Sequence, residues 1–221
     1  MTKPQENKEL AVVDTDAMLK GNMEGVEPTI QVMKIIHQAQ SFKMGDDTKL
    51  DSVEGIVLDA HNSRSWWATD FDQGSGDDAP DCFSNDGMVP ADSVEEPQAS
   101  TCAGCPNSKF DEAIHKTPCK KMKQVHILPK GEIMPIRLPL PPSNIRAIDN
   151  WIQNLTSKRV PYQFQNVAIS LEKAKNKGGI EYSVIAFKNL EVIEDEDGKD
   201  GIMKMYNAML PLMRREVAHD E

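Results

Sequence analysis

The apolar positions of this chain recur mostly at strand spacing and take a helical spacing in two places. From Thr29 to His37 the run TIQVMKIIH is rich in β-branched residues and predicts a strand, followed by a turn in SFKMGDDTKL. SVEGIVLDA predicts a second strand. With HNS at 61–63 read as a turn, RSWWATDF becomes its hairpin partner. MKQVHILP and IMPIRLPLPP restore the strand pattern after residue 119. Ser143 then reads as the N-cap of a helix, SNIRAIDNWIQNLTSK, with Ile145, Ile148, Ile152 and Leu155 at helical spacing. NVAISLEKA and IEYSVIAFKNLEVI flank a Lys-Asn-Lys-Gly-Gly loop and predict a hairpin. Residues 194–201 read as an acidic linker. Residues 202–218 read as a methionine-rich amphipathic helix, kinked or divided at Pro211.

Between Asp70 and Ser100 the pattern fails. Gly, Pro, Ser and acids dominate there and cannot supply a packed core. The layout is therefore a polar leader over 1–27, then a β domain over 28–193 interrupted by an insertion over 72–124. An acidic linker and C-terminal helix follow over 194–221. This order predicts a mainly β chain with α (α+β). The expected form is a small, partly open barrel of the oligonucleotide-binding type, with an inserted four-cysteine zinc module and a C-terminal helix. A five-stranded α+β sandwich is the alternative.

Length changes this picture little: 221 residues suit one well-cored domain plus an insertion. Hydrophobic content is 39% and mean hydropathy −0.51, and no run approaches the ~20 apolar residues of a membrane span. The first residues resemble no secretory or organelle signal, so a cytoplasmic protein is expected, in the host cytoplasm if phage-encoded. Charge changes it more. The net charge is −10, yet residues 101–190 carry 14 Lys+Arg against 6 Asp+Glu, while residues 51–100 carry 1 against 12. A basic middle flanked by acidic segments is the pattern of a surface for a polyanion, unless the charges interleave in space and cancel.

The four cysteines are too few for a disulfide scaffold, and their clustering reads as metal ligation. Cys82 is followed after 19 residues by Cys102, after two more by Cys105, and after 13 more by Cys119. In the Cys102-Ala-Gly-Cys105 knuckle both sulfurs reach one ion from a tight turn, and Pro106 stiffens its exit. The expectation is one structural Zn2+ on Cys82, Cys102, Cys105 and Cys119, with His115 or His126 in place of one cysteine as the variant. Such a closed site leaves no position for a reactive water.

Three basic and aromatic clusters are candidates for gripping a single strand, with cations on phosphates and rings under bases. They are Arg64, Trp66 and Trp67; Lys120, Lys121 and Lys123; and Lys158, Arg159, Tyr162 and Phe164. Adjacent tryptophans on a strand point to opposite faces, so one is expected in the core and one exposed. Phe83, Trp151 and Phe187 are expected in packing. No phosphate-cradling loop, nucleophile elbow or histidine-based metal centre is present, and no enzyme is expected. Asp77, Asp78, Asp81 and Asp86 read as a solvated acidic loop rather than a magnesium site.

The strings DCFSNDGMVP, TCAGCPNSKF and PCKKMKQVHIL resemble a group of phage and mobile-element proteins in which a β-barrel-like domain is interrupted by a four-cysteine zinc module. IQVMKIIHQAQS and VAISLEKAKNKGGIEYSVIAF extend the resemblance over residues 28–193. That group is similar in design to the single-stranded DNA-binding proteins of T-even phages. The resemblance implies sequence-tolerant binding of single-stranded DNA or RNA in phage or mobile-element replication and recombination. Replication or recombination proteins would be met through the acidic C-terminal region. A zinc-stabilised adaptor for a replication, transcription or defence protein is the other reading, favoured by the acidic excess and the Met-rich helix. The oligomeric state is not legible.

Overall fold

A computed structural model describes residues 22, 24–68, 79–175, 178–179 and 181–215. Most of the predicted leader, Asp77 and Asp78, and the helix end predicted at 216–218 lie outside them.

The spine is β5, Ser52–Trp66, a single strand of 15 residues. The turn predicted at 61–63 is therefore not made. His61 and Ser63 are buried and stand in register with Gln124 and Met122, so the strand runs straight through them. β7, Lys120–Pro129, pairs along one edge of β5. On the other edge β9, Gln165–Lys175, pairs at its start and β6, Cys82–Ser84, at its end. The sheet continues through β8, Ile136–Leu140, to β1, Gln31–Val32, on one side and ends at β10, Glu181–Val192, on the other. The predicted hairpin of β9 and β10 forms in continuous register from Glu181 to Asn189. A second, three-stranded sheet holds β2 (Lys34–Ile36), β3 (Ser41–Lys43) and β4 (Lys49–Leu50). The strand predicted over 29–37 is thus split between two sheets, with Met33 fully buried at the break.

The architecture is mixed α and β, consistent with an α+β chain, and the main sheet is mostly open. β1 and β10 lie at opposite ends of its order, and no pairing joins them among the described residues. Helix α1, Pro142–Ser157, buries Asn144, Ile148, Trp151 and Leu155 on one face of the sheet. Its N-cap is Pro141, without a side-chain bond; the predicted Ser143 cap is displaced because Pro142 already occupies the first turn. Helix α2, Glu196–Met213, covers the other face through Met213, Tyr206 and Met209, packed on Ile56, Leu58 and Leu128. It begins inside the run predicted as a linker. Asp195 caps it by accepting from the Gly198 N–H at 2.7 Å, and Glu196 and Asp197 oppose the positive end of the helix dipole.

Two local devices decide which polar groups enter the interior. Opposite the step from Ile127 to His126, β5 places two residues, Leu58 and Asp59, so Leu58 is the extra residue of a β-bulge. Val57 and Ala60 pack with the α1-side core, while Leu58 packs under α2 and Asp59 bonds to Arg214 at that helix's end. On the outer edge of β10, the fully buried Asn144 stands in for a neighbouring strand. Its carbonyl accepts from the Ile185 N–H at 2.6 Å, and its amide donates to the Ser183 carbonyl at 3.3 Å. His37 Nδ1 takes the Ser183 N–H at 3.2 Å.

Candidate functional site

Cys82 opens the short strand β6 opposite Trp66, and this pairing ties the insertion to the end of β5. The loop after it is held by Asp86, whose carboxylate accepts from the Ser84 hydroxyl and from the Met88 and Val89 amides. Those bonds hold the Asp86 carboxyl below its ordinary pKa against the upward push of desolvation. Gly87 follows at φ 74, a backbone region that favours glycine. The Cys102–Cys105 knuckle is braced by Ser108, whose hydroxyl donates to the carbonyls of both cysteines at 2.6 and 2.8 Å. The Cys119 amide donates to Asn107 at 2.8 Å.

These bonds bring all four cysteines to one pocket, together with Arg64, Trp66, Phe83 and Ser84. All four are free thiols; Cys102, Cys105 and Cys119 are buried and Cys82 is half-buried. The sulfurs do not form a zinc site in this structure. A tetrahedral zinc needs sulfur–sulfur edges of about 3.8 Å. Among the described residues, no three of these sulfurs belong to a group whose ligand atoms all lie within 4.8 Å of one another. Burial pushes the Cys119 thiol up, and Cys102 and Cys105 add to this, while the Arg64 guanidinium beside it pulls the other way.

The β5–β7 ladder assembles two of the three candidate clusters at this end. Arg64 stands opposite Lys121 and Ser65 opposite Lys120. Lys120 and Lys121 are exposed, and the Lys120 ammonium lies 5.2 Å from the Trp67 ring centroid, within cation–π range. Neither tryptophan is fully buried or fully exposed. Trp66 is half-buried against the cysteine pocket and Trp67 half-buried beneath Lys120.

Five predicted residues go elsewhere. Lys123 is 9% exposed and ion-paired with Asp149 of α1, so its charge is neutralised within the fold. Tyr162 is half-buried beside Trp151, with its pKa pushed up to about 12 by burial and then by the nearby Asp59 carboxylate. Phe164 lines a cleft against α2 with the exposed Arg159, while Lys158 is exposed at the end of α1. Trp151 stacks on Phe187 at 4.7 Å in the core, as expected.

A second centre was missed in the sequence. Asp59, His61 and His126 are all buried on the α2 side of the sheet. Asp59 Oδ1 accepts from Arg214 at 2.7 Å, and its Oδ2 lies 2.6 Å from His61 Nδ1. His126 Nδ1 is 3.8 Å from Oδ2 and has no hydrogen-bond partner. The three ligand atoms lie within 4.8 Å of one another, so this group could hold a metal ion. Burial pushes the Asp59 carboxyl up, and the bonds from His61 and Arg214 outweigh it and hold the pKa below its ordinary value. Burial, then the His61 ring, drives the His126 pKa down to about 3, against the pull of Asp59. The guanidinium groups of Arg137 and Arg214 act on the same imidazole. A divalent ion here meets two fixed positive charges and one negative, so its ligand bonds have to outweigh that repulsion. The signal in the sequence was Asp-x-His inside an apolar strand, hidden by reading 61–63 as a turn.

No helix among the described residues is long and apolar enough to cross a membrane. No family model, curated protein or solved structure matches the chain.

Proposed function

We propose that this chain binds single-stranded nucleic acid, single-stranded DNA foremost, at the end of the β5–β7 ladder, and that it serves phage or mobile-element replication or recombination. The observation that carries the reading is the meeting of Arg64, Trp66, Trp67, Lys120 and Lys121 on paired strands beside the cysteine pocket. These residues come from segments far apart in sequence. Two exposed ammonium groups next to half-buried indoles supply the phosphate contacts and ring faces that single strands use. A mostly open sheet suits a fold of the oligonucleotide-binding kind.

A zinc ion on Cys82, Cys102, Cys105 and Cys119 belongs to this reading. Four free thiols lining one pocket, with the knuckle carbonyls already tied to Ser108, would suit such a site once the sulfurs close on an ion. The ion would fix the start of β7, which carries Lys120 and Lys121, and take no part in chemistry.

The test is tryptophan emission titrated with oligothymidine at two salt concentrations. Quenching is expected, with affinity falling as salt rises by about 0.7 in log K per log salt for each phosphate contact. Lys120→Glu with Lys121→Glu should remove most of the binding, and metal analysis should return one zinc per chain. Absence of quenching at low ionic strength, or an unchanged affinity in the double variant, defeats the reading.

A further inference from the structure

The cleft that holds Arg159 and Phe164 is unlike the β5–β7 end in its charge. It has a volume of about 790 Å3, in the range of a ligand- or peptide-binding cleft. Its apolar lining comes from Val160, Phe164, Val192 and Met203, of which Val192 and Met203 are 39% and 37% exposed. The wall facing Arg159 is the start of α2 and the turn before it. Glu194, Glu196 and Asp200 line the cleft there, three acids against the one cation of that wall, Lys199. The decapeptide 191–200 that forms this wall carries six acids and one lysine. Two of the lining carboxylates are partly answered on their own helix, Glu196 by Lys199 at 2.8 Å and Asp200 by Lys204 at 2.7 Å. Glu194 is exposed just ahead of the Asp195 cap.

A polyanion is repelled by such a wall. Arg159 and Phe164 are thus set beside acids rather than beside the lysines of the β5–β7 end. The wall instead favours a cation, and the apolar lining favours a hydrophobic anchor held beside it. We propose that this cleft docks a basic segment of a partner protein, one aliphatic side chain seated on Phe164 and Met203 and flanking lysines or arginines turned to the acidic wall. The exposed acids supply attraction and orientation, and the buried anchor supplies most of the affinity.

The test uses the full chain and a synthetic octapeptide, a central leucine flanked by lysines, titrated by calorimetry at low and moderate salt. A second peptide carries serine in place of the leucine. Glu194→Lys should weaken the leucine peptide about fivefold to tenfold, since it removes an attraction and adds a repulsion at an exposed site. Arg159→Ala should tighten it, because an opposing cation on the facing rim is gone. Met203→Ser should weaken the leucine peptide and leave the serine peptide unchanged. Oligothymidine should not compete, and the Lys120 and Lys121 variants should bind peptide normally, so this proposal and the nucleic-acid reading fail separately. Three results overturn it. The first is no binding of the leucine peptide at low salt. The second is equal binding of the two peptides. The third is displacement of peptide by oligothymidine with loss of oligonucleotide affinity on Arg159→Ala, which would place the nucleic acid in the cleft.

Discussion

His126 is 1% exposed, carries a pKa near 3 and has no hydrogen-bond partner at Nδ1, so the folded protein holds it neutral well into acid. In the unfolded chain the same imidazole titrates near 6.5. Between those values the unfolded state binds a proton that the native state refuses. Stability is then fully present above about pH 6.5 and is lost as pH falls. Linkage gives a loss of about 1.6 kcal/mol from this one group between pH 6.5 and pH 5. Asp59 acts in the same direction, but only near and below its ordinary value of 3.8, outside that window. Urea unfolding of the native chain and of His126→Leu at the two pH values isolates the term, since the other histidines are common to both. With a urea dependence near 2 kcal/mol per molar, the native midpoint should drop by about 0.8 M more than that of the variant. Equal drops in the two proteins would refute a neutral, buried His126. A metal ion on the triad would show as a chelator-dependent midpoint, a separate signature.

Arg214→Ala removes the partner of Asp59 Oδ1 and leaves a 2% exposed carboxylate with only His61. The arginine side chain is 42% exposed, which reduces the cost, so about 2–3 kcal/mol is expected in urea unfolding. Adding Asp59→Asn should recover part of it, and strict additivity would refute the pairing. Asn144→Ala strips two β10 backbone groups of their partners and should cost about 2–4 kcal/mol, with hydrogen exchange quickening at Ile185. Protection unchanged at that amide would sink the prediction. At Gly55 an added Cβ would lie 2.1 Å from the Leu128 carbonyl oxygen, so Gly55→Ala should force β5 and β7 apart and lower stability by about 3 kcal/mol. A midpoint within about 0.2 M of native, about 0.4 kcal/mol, would show that the ladder yields without strain.

Much of the fold was legible because burial on one face writes itself as alternation. The β9–β10 hairpin and the helix from residue 142 to 157 follow from Val167, Ile169, Ile148 and Leu155 alone. What escaped was set by partners distant in sequence. His-Asn-Ser looks like a turn until Gln124 and Met122 lie opposite it. The start of α2 looks like a solvated linker, because acids that stabilise a helix N-terminus have the same composition as a disordered run. At the site, the clustering of the cysteines was readable from their spacing, whereas Arg64 and Lys121, read as members of separate clusters, meet only through the β5–β7 register. The pairing of Lys123 with Asp149 was not readable, because nothing local distinguishes that lysine from Lys120 and Lys121. The Asp59 centre needed knowledge of the register.

Leu58 sets the parity of everything after it. Before the bulge, odd-numbered residues of β5 such as Val53 and Val57 face the α1 layer; beyond it, the odd-numbered Asp59 and His61 face away from that layer. Deleting Leu58 itself would close the bulge and keep Asp59 opposite His126, whereas deleting a residue beyond it, such as Ala60, would transpose each later side chain, driving His61 into aliphatic packing and turning Arg64 away from Cys119. Beyond the bulge this strand can therefore drift in composition over evolutionary time far more readily than in length, and insertions or deletions between Asp59 and Trp66 should be purged where substitutions survive.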